Sequence, residues 1–364
     1  MRTLYYSNGD GGRVWRAIRN EQVEFYFVGA SVTAQRGGWA DRFVELLTAS
    51  SGKTYSIEKN AMGGVGVLFG VANYPSNPAH RRIVFIEFSS GDLNFGLTPV
   101  DRLRFLLERL LRRTLSDNSL VIIVHNWRAD CEIDDHHGIR RIYDEVAREY
   151  RIPVIANHRF VAAQIVQDSS LRSRWFRDVC HTTVEGATEY ALHMLSCLKE
   201  MSESEQTLPP RAELEPNGDE SHLDFCIPSS ESGDWCGRPI STYVYPNTQQ
   251  AFKYTEVALC DELSFVASGQ LFGVGFISGP TAGWVSLSID GVELRKFRCF
   301  DRHSYYERYI LLPTFAELEH SRLVLKCVDL DVDFSMAAQA HLDFQSPRSM
   351  KLVHLAGRGL RVHS

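Results

Sequence analysis

Between residues 23 and 200 the chain alternates short apolar runs with segments whose apolar residues recur every three or four positions. A short apolar run is typical of a buried strand, and the longer period is typical of an amphipathic helix. Five runs are strand-like: 23–30, 54–59, 82–88, 120–126 and 152–157. Four segments have the helical period: 39–50, 101–113, 139–150 and 184–200. Alternating strands and helices predict a parallel sheet that is covered by helices.

After about residue 221 the pattern changes to short alternating segments, separated by turn signals such as SGP at 278–280 and DG at 290–291. This texture is typical of an all-β sandwich. The intervening residues 201–220 are polar, acidic and proline-containing, as expected of a linker. We therefore predict an α/β domain at 1–200, a linker at 201–220 and a β domain at 221–364.

Charge and composition narrow the classes of partner. The net charge is −6 and the basic residues are spread along the 364 residues, which argues against a nucleic-acid partner bound through its phosphates. The basic helical segment 102–113 has the spacing of a helix packed on a core, with a membrane-surface or partner helix as the alternative. No apolar run reaches the length of about 18 residues that a membrane span needs. The start lacks a signal-peptide pattern, so we expect a cytoplasmic protein without a membrane span.

Eight cysteines are present, and none forms a CxxC pair. A chain of this length does not need disulfide staples, so the default expectation is reduced and mostly buried thiols. A bridge between Cys226 and Cys236 is the alternative.

Three motifs contain residue types that support chemistry. GASVTAQRGGW (29–39) places Ser31 on a turn between the first strand and a helix, NAMGGVG (60–66) is a glycine-rich turn, and RWFRDVCHTTVEGA (174–187) precedes the last helix. In the last motif, Asp178 and His181 have a spacing that lets the carboxylate reach Nδ1 of the imidazole. Each motif taken alone is better explained as a cap or a turn.

Taken together, the order and spacing of these motifs resemble those of the SGNH (GDSL-like) hydrolases over residues 25–200. The resemblance implies a flavodoxin-like α/β/α sandwich with a parallel sheet, in which Ser31 is the nucleophile and Asp178 and His181 complete the triad. It implies that the backbone amides of Ser31 and Gly64 stabilise the oxyanion. Ala30 stands where the family name has aspartate, which leaves the nucleophile in place.

One block departs from the family pattern, which has a strand followed by G-x-N-D. Here the strand leads into SSGDLNFG, and aligning Asp92 with the usual aspartate places Gly91 where asparagine belongs. Either Asn94 or the Gly91 amide takes the place of the oxyanion donor, or one donor is missing. Removing one such donor typically lowers the rate ~100–1000-fold.

The loop HNWRADCEIDDHHG (125–138) follows another strand end and should border the same site. We expect His125 and Trp127 to contact substrate from this loop. Its carboxylates and histidines are also metal-ligand types, but no CxxC or HxxxH spacing is present, so a polar lid is favoured over a metal site.

The implied activity is a serine esterase that acts on O-acyl, above all O-acetyl, esters of a saccharide and needs no cofactor or metal. The β segments loosely resemble jelly-roll-like modules of carbohydrate-acting esterases, and three aromatic residues are candidates for stacking on sugars: Trp284, Tyr305 and Tyr306. A polysaccharide O-acyltransferase with the same triad, and a catalytically weak glycan-binding protein on the same fold, are the alternatives. Homo-oligomerisation stays open.

Overall fold

The computed structural model of the chain describes residues 6–7, 9–75, 81–95, 98–131, 138–203, 224–226, 234–235, 238–299, 307–330 and 348–363. The chain forms two compact units, Met1–Ser221 and His222–Ser364. Within these described ranges, no helix combines the length and the apolar character that crossing a membrane requires.

The first unit is built from alternating strands and helices. Its described strands are β1 (Tyr6–Ser7), β2 (Glu24–Gly29), β3 (Ser56–Ala61), β4 (Arg82–Glu87), β5 (Leu120–Val124) and β6 (Val154–Ile155). Its described helices are α1 (Gly11–Asn20), α2 (Ser31–Ala34), α3 (Trp39–Ser51), α4 (Val67–Asn73), α5 (Ser89–Phe95), α6 (Val100–Ser116), α7 (Ile139–Glu149), α8 (Asn157–Gln167), α9 (Leu171–Trp175) and α10 (Val184–Glu203).

The strands form one sheet in the order β1-β6-β5-β4-β2-β3. Strands β2 to β6 are parallel to one another, and their order is that of a flavodoxin-like sheet. The predicted α/β class is therefore confirmed. The short strand β1, which the apolar pattern did not indicate, pairs antiparallel with β6 at the sheet edge.

Side chains of the central strands point alternately to two helical layers. On one face, Phe25, Phe27 and Phe85 lie in a single core with residues of α1, α3 and α10. The rings of Phe27 and Phe85 stack there with centroids 4.8 Å apart. On the opposite face, α6 contacts both α4 and α7. Because both faces are covered, β4 and β5 are buried along their whole length, which explains the unbroken apolar sequence of β5 and of residues 83–86 in β4.

The basic helical segment is a packed helix. The five leucines of residues 102–113 are all fully buried in α6: Leu103, Leu106, Leu107, Leu110 and Leu111. This confirms the core-facing prediction for that helix. At the other end of the unit, α10 continues to Glu203, three residues into the segment predicted as a linker; the rest of that linker lies outside the described residues.

The second unit is all-β, as predicted. Its described strands are β7 (Asp224–Cys226), β8 (Asp234–Trp235), β9 (Arg238–Val244), β10 (Ala251–Ala258), β11 (Glu262–Ser278), β12 (Trp284–Ile289), β13 (Val292–Arg298), β14 (Arg308–Val328) and β15 (Ser349–His363). They pair antiparallel in the order β13-β12-β14-β11-β15-β10-β9-β8, and β7 pairs with β15.

Register shifts shape the long strands of this unit. Strand β11 has irregular pairing near Gly269 and Gly273, and there the residues that it contributes to the core cluster change from odd positions (263, 265, 267 and 271) to even positions (274 and 276). A bulge bends a strand and re-aims its side chains, so a long strand can contribute to both sides of one core. The jelly-roll-like arrangement stays a prediction.

Six cysteines have described side chains; all six are free thiols, and four of them are buried. The alternative Cys226–Cys236 bridge lies outside the described side chains, and so do Tyr305 and Tyr306.

Candidate functional site

The candidate site lies at the carboxyl ends of three adjacent parallel strands. Gly29 of β2 is in register with Ala61 of β3 on one side and with Glu87 of β4 on the other. The segments after these strands therefore lie side by side. Strand order reverses at β2, and such a switch point is where ligands bind in open α/β sheets.

Ser31 is the first residue of the short helix α2, and only Ala30 separates it from β2. The next three residues of this turn are buried, whereas Ser31 is partly exposed. The turn closes through hydrogen bonds from the amides of Thr33 and Ala34 to the carbonyl oxygen of Ala30. This arrangement leaves the Ser31 hydroxyl as the reachable side chain of the turn.

A buried carboxylate supports the Ser31 turn from below. Glu87, the last residue of β4, accepts hydrogen bonds from the hydroxyls of Thr33 and Ser90. Burial raises the pKa of Glu87 to about 7, even though these hydrogen bonds act in the opposite direction. Gly29 allows the backbones of β2 and β4 to lie close together at this point, because a Cβ on Gly29 would lie 2.7 Å from the backbone carbonyl oxygen of Glu87.

The glycine-rich turn after β3 contains Gly64, the predicted oxyanion donor. Gly64 is buried and has φ +71°, a left-handed conformation that glycine adopts without strain. Two residues later, a Cβ on Gly66 would lie 2.1 Å from Oδ1 of Asp92. The backbone of this turn thus packs closely against the Asp92 carboxylate and leaves no space for a side chain at position 66.

Asp92 is a fully buried anchor in α5. It accepts hydrogen bonds from the hydroxyls of Tyr143 and Thr98, each at 2.8 Å, and from the amide of Val67 at the start of α4. Burial raises the pKa of Asp92 to about 6, against the effect of these donors.

The predicted oxyanion donors around Gly91 are only partly resolved by the structure. The Gly91 amide donates to the carbonyl oxygen of Phe88 at 2.9 Å, so the hypothesis that this amide serves the oxyanion is wrong. A Cβ on Gly91 would lie 2.2 Å from the carbonyl oxygen of Val65. The neighbouring backbone thus occupies the space that an asparagine side chain would need. Asn94 lies in α5, but its side chain lies outside the described ones, so its role stays a prediction.

Asp178 and His181 form the predicted pair. Nδ1 of His181 lies 2.8 Å from Oδ2 of Asp178, and Oδ1 of Asp178 accepts hydrogen bonds from the amides of Cys180 and His181. Partial burial alone would raise the pKa of Asp178, but these hydrogen bonds outweigh it and hold the pKa well below its ordinary value. With Nδ1 engaged by the carboxylate, Nε2 is the ring atom left to act as a base.

The Ser31 and His181 segments are joined by side-chain to backbone hydrogen bonds. Gln35, just after α2, bonds to both the amide and the carbonyl of Thr182. In the described part of the chain, no hydrogen bond joins the Ser31 hydroxyl to the His181 ring. Catalytic hydrogen bonds are often long before substrate binds, so this does not remove Ser31 as the nucleophile.

The prediction that His125 and Trp127 contact substrate is wrong. His125 is 1% exposed, and its ring nitrogens bond to the Ser89 hydroxyl at 2.8 Å and to the Asp144 carboxylate at 3.1 Å. Trp127 packs in the core against Phe176, with ring centroids 4.5 Å apart. Both residues follow a strand end in the sequence, but the chain turns inward there rather than toward solvent.

The metal question concerns two groups of residues. The acidic and histidine-rich centre of the loop, residues 132–137, lies outside the described residues. Among the described ones, Asp178, Cys180 and His181 offer three possible ligand atoms within 4.8 Å of one another. Asp178 and His181 are already bonded to each other in the manner that a catalytic base requires.

Two site residues were missed by the sequence analysis. Glu87 ends an apolar strand, and a lone carboxylate at the carboxyl end of a buried strand is a signal that could have found it. Gln35 has no comparable signal, because its contact with Thr182 joins residues 147 positions apart.

Comparisons with known proteins identify the fold. No family model matches the chain, and no curated protein matches it in sequence. The structure is similar to that of a two-domain esterase (CEX) active on acetylated mannans, with a TM-score of 0.69, 14% identity, and coverage of 96% of this chain and 95% of that chain. The same esterase co-crystallised with mannopentaose gives a TM-score of 0.69 and 14% identity over 97% of this chain and 95% of that chain. At this identity the likeness establishes the fold alone: an α/β unit followed by an all-β unit, as the sequence predicted.

We predict that Gly91→Asn destabilises the protein and does not improve any activity of the site. The new Cβ would overlap the Val65 carbonyl oxygen, and overpacking of this kind costs about 1–3 kcal/mol of unfolding free energy. Chemical denaturation of the variant measures this cost. Gly12→Asn in α1 is the matched control, because a Cβ there meets no heavy atom closer than 3.6 Å. Parental stability in the Gly91 variant would show that the Val65 backbone readily moves aside.

We predict that Glu87→Gln weakens the dependence of stability on pH. The folded-state pKa of about 7 lies above the ordinary value of 4.5, so folding binds a proton between these values and stability falls as pH rises through this window. The shift corresponds to about 3 kcal/mol at most. Urea unfolding at pH 5 and pH 8 should therefore show a smaller stability difference in this variant than in the parent. Glu45→Gln, whose side chain is 57% exposed, is the control; an equal change in both variants would contradict the prediction.

Proposed function

We propose that this chain is a serine esterase that hydrolyses O-acetyl esters of a polysaccharide. The observation that carries the proposal is the Asp178–His181 pair on a loop hydrogen-bonded to the segment that follows Ser31. Ser31 follows the strand β2, and Asp178 and His181 precede the last helix α10. This is the order that the resembled family has. The fold shared with an esterase supports the same conclusion.

In the proposed reaction, Ser31 Oγ attacks the carbonyl carbon of the acetyl group while Nε2 of His181 accepts the hydroxyl proton. The backbone amides of Ser31 and Gly64 stabilise the oxyanion of the tetrahedral intermediate. His181 then gives its proton to the sugar oxygen, which leaves as the alcohol. Water, activated by the same nitrogen, attacks the acetyl-enzyme and releases acetate.

The Asp178 carboxylate orients this base and stabilises its charge. Its pKa lies well below the ordinary value, so Asp178 stays ionised at neutral pH. An ionised partner at Nδ1 fixes the tautomer with its lone pair on Nε2 and stabilises the imidazolium formed during attack.

The substrate class is proposed from the neighbour and from the second unit. The structurally similar esterase is active on acetylated mannans, and its likeness extends over both units of this chain. Trp284, half-buried at the start of β12, is the described aromatic that we propose for a sugar contact, together with Tyr305 and Tyr306. Aromatic rings of this kind present an apolar face to a sugar ring.

The structure of the oxyanion region favours one alternative over the rest. Because Gly91 provides neither a side chain nor a free amide, one donor of the family pattern is missing there. A protein with a weak oxyanion hole that chiefly binds glycans is therefore the second candidate. An O-acyltransferase with the same triad differs only in the acceptor of the acetyl group.

We predict that the parent protein releases p-nitrophenol from p-nitrophenyl acetate and that Ser31→Ala and His181→Ala abolish this release. Asp178→Asn should reduce kcat by at least ~100-fold, because the imidazole loses its ionised partner. Ser89→Ala is the matched control. Ser89 bonds to His125, which bonds to Asp144, but Ser89 is fully buried and should be dispensable for ester hydrolysis. Activity that survives Ser31→Ala and vanishes with Ser89→Ala would contradict the assignment.

We further predict that the parent releases acetate from acetylated mannan and that Ser31→Ala does not. Free acetate in the supernatant is the measurement, with deacetylated mannan as the blank. Release from p-nitrophenyl acetate but none from the polymer would reject the polysaccharide substrate. Acetyl transfer to added mannooligosaccharides, seen as a mass increase of the acceptor, would favour the transferase. If the parent hydrolyses neither ester but both the parent and the Ser31→Ala variant bind mannan, the glycan-binding protein is favoured.

A further inference from the structure

The loop that bears His181 is closed by backbone hydrogen bonds, and at its base the backbone groups of Thr182 point away from the loop. The amide of Arg177 donates to the His181 carbonyl at 3.0 Å, and the amide of Thr183 donates to the Trp175 carbonyl at 2.8 Å. These bonds flank the antiparallel pair Phe176–Thr182, which is therefore a non-hydrogen-bonded pair. In such a pair, the amide and the carbonyl of Thr182 point away from Phe176 and need partners elsewhere.

The side-chain amide of Gln35 meets both of these groups. Its Nε2 donates to the Thr182 carbonyl at 2.8 Å, and its Oε1 accepts from the Thr182 amide at 3.2 Å. A primary amide carries a donor and an acceptor side by side, so Gln35 extends the ladder by the equivalent of one strand residue. Both residues are buried, with 8% of Gln35 and 1% of Thr182 exposed, so water does not readily replace these bonds.

The backbone of Gln35 is itself held in place. The Lys59 ammonium donates to the Gln35 carbonyl at 3.1 Å and pairs with Asp41 at 2.9 Å. Asp41 also accepts a hydrogen bond from the Gly37 amide at 2.7 Å. The position of Gln35, four residues after Ser31, is therefore set by its own segment and does not depend on the loop that bears His181.

We propose that Gln35 is a positioning residue that sets the distance between His181 and Ser31, a role that rests on the proposed esterase function. The Asp178–His181 pair is held by bonds within its own loop, so it survives the loss of Gln35 as a unit. What Gln35 adds is the attachment of that unit to the nucleophile segment. Its loss should therefore misplace an intact base relative to Ser31, rather than alter the base.

The first test compares Gln35→Ala and Gln35→Met with the control Asn73→Ala. Asn73, half-buried at the end of α4, also has a side-chain amide that donates to a backbone carbonyl, that of Phe69. With p-nitrophenyl acetate, both Gln35 variants should lose about 10- to 100-fold in kcat, the scale of a small misplacement of reacting groups, with KM changed by less than about twofold. The control should keep its kcat.

The second test separates positioning from packing. In Gln35→Glu, an ionised carboxyl still accepts from the Thr182 amide but repels the Thr182 carbonyl, whereas a protonated carboxyl donates to that carbonyl as the amide does. The ratio of kcat in this variant to kcat in the parent should therefore rise as pH falls from about 8 to 5. Hydrogen exchange of the Thr182 amide, followed by NMR, should quicken in Gln35→Ala and stay slow in the control.

Each outcome decides a different point. An active parent with unchanged kcat in Gln35→Ala would overturn the positioning role alone. Equal kcat losses in Gln35→Ala and Asn73→Ala, or a ratio for Gln35→Glu that does not change with pH, would reduce Gln35 to general packing and also overturn it. A parent that hydrolyses no ester would overturn the proposed function, and the role of Gln35 with it.

Discussion

The site depends on one buried carboxylate at the end of a central strand. Glu87 accepts hydrogen bonds from Thr33, two residues after Ser31, and from Ser90, three residues after itself. These bonds tie the turns that follow β2 and β4 to each other at the strand-order reversal. A carboxylate without such donors would be too costly to bury in this position. The desolvation of Glu87 raises its pKa, and its hydrogen bond with Thr33 holds the Ser31 turn in place.

A second buried carboxylate shapes the other wall of the site and explains the departure from the family pattern. Asp92 draws the start of α4 toward itself through the Val67 amide, with Gly66 in contact with its oxygen. The same turn places the Val65 carbonyl against Gly91. Glycine at 91 is thus a steric requirement of this backbone. The protein has an aspartate where the pattern that the sequence resembles has one, and it has no room for the preceding asparagine.

Burial separates the two Ser–His–Asp chains of this unit. Ser89, His125 and Asp144 have hydrogen-bond partners in the order of a triad, but Ser89 has no exposed surface and serves to hold the start of α5. Ser31 has no hydrogen bond to His181 among the described residues, yet it is the partly exposed residue of its turn. Reaction with a polymer ester needs access first and can tighten its hydrogen bonds once substrate is present. Accessibility, and not hydrogen-bond order alone, therefore favours Ser31.

The sequence by itself determined the class of each unit, because strand and helix periods record which side chains are buried. It also determined the Asp178–His181 pair, because these residues lie three apart and their contact is local. Only the tertiary structure decided which side chains leave the sheet edge for solvent: His125 and Trp127 follow a strand like Ser31, but they turn into the core. It alone revealed Glu87 beneath Ser31 and Gln35 against Thr182, since these contacts join residues 54 and 147 positions apart. Periodicity reports burial along one segment, and it contains no information about which distant segment supplies the partner.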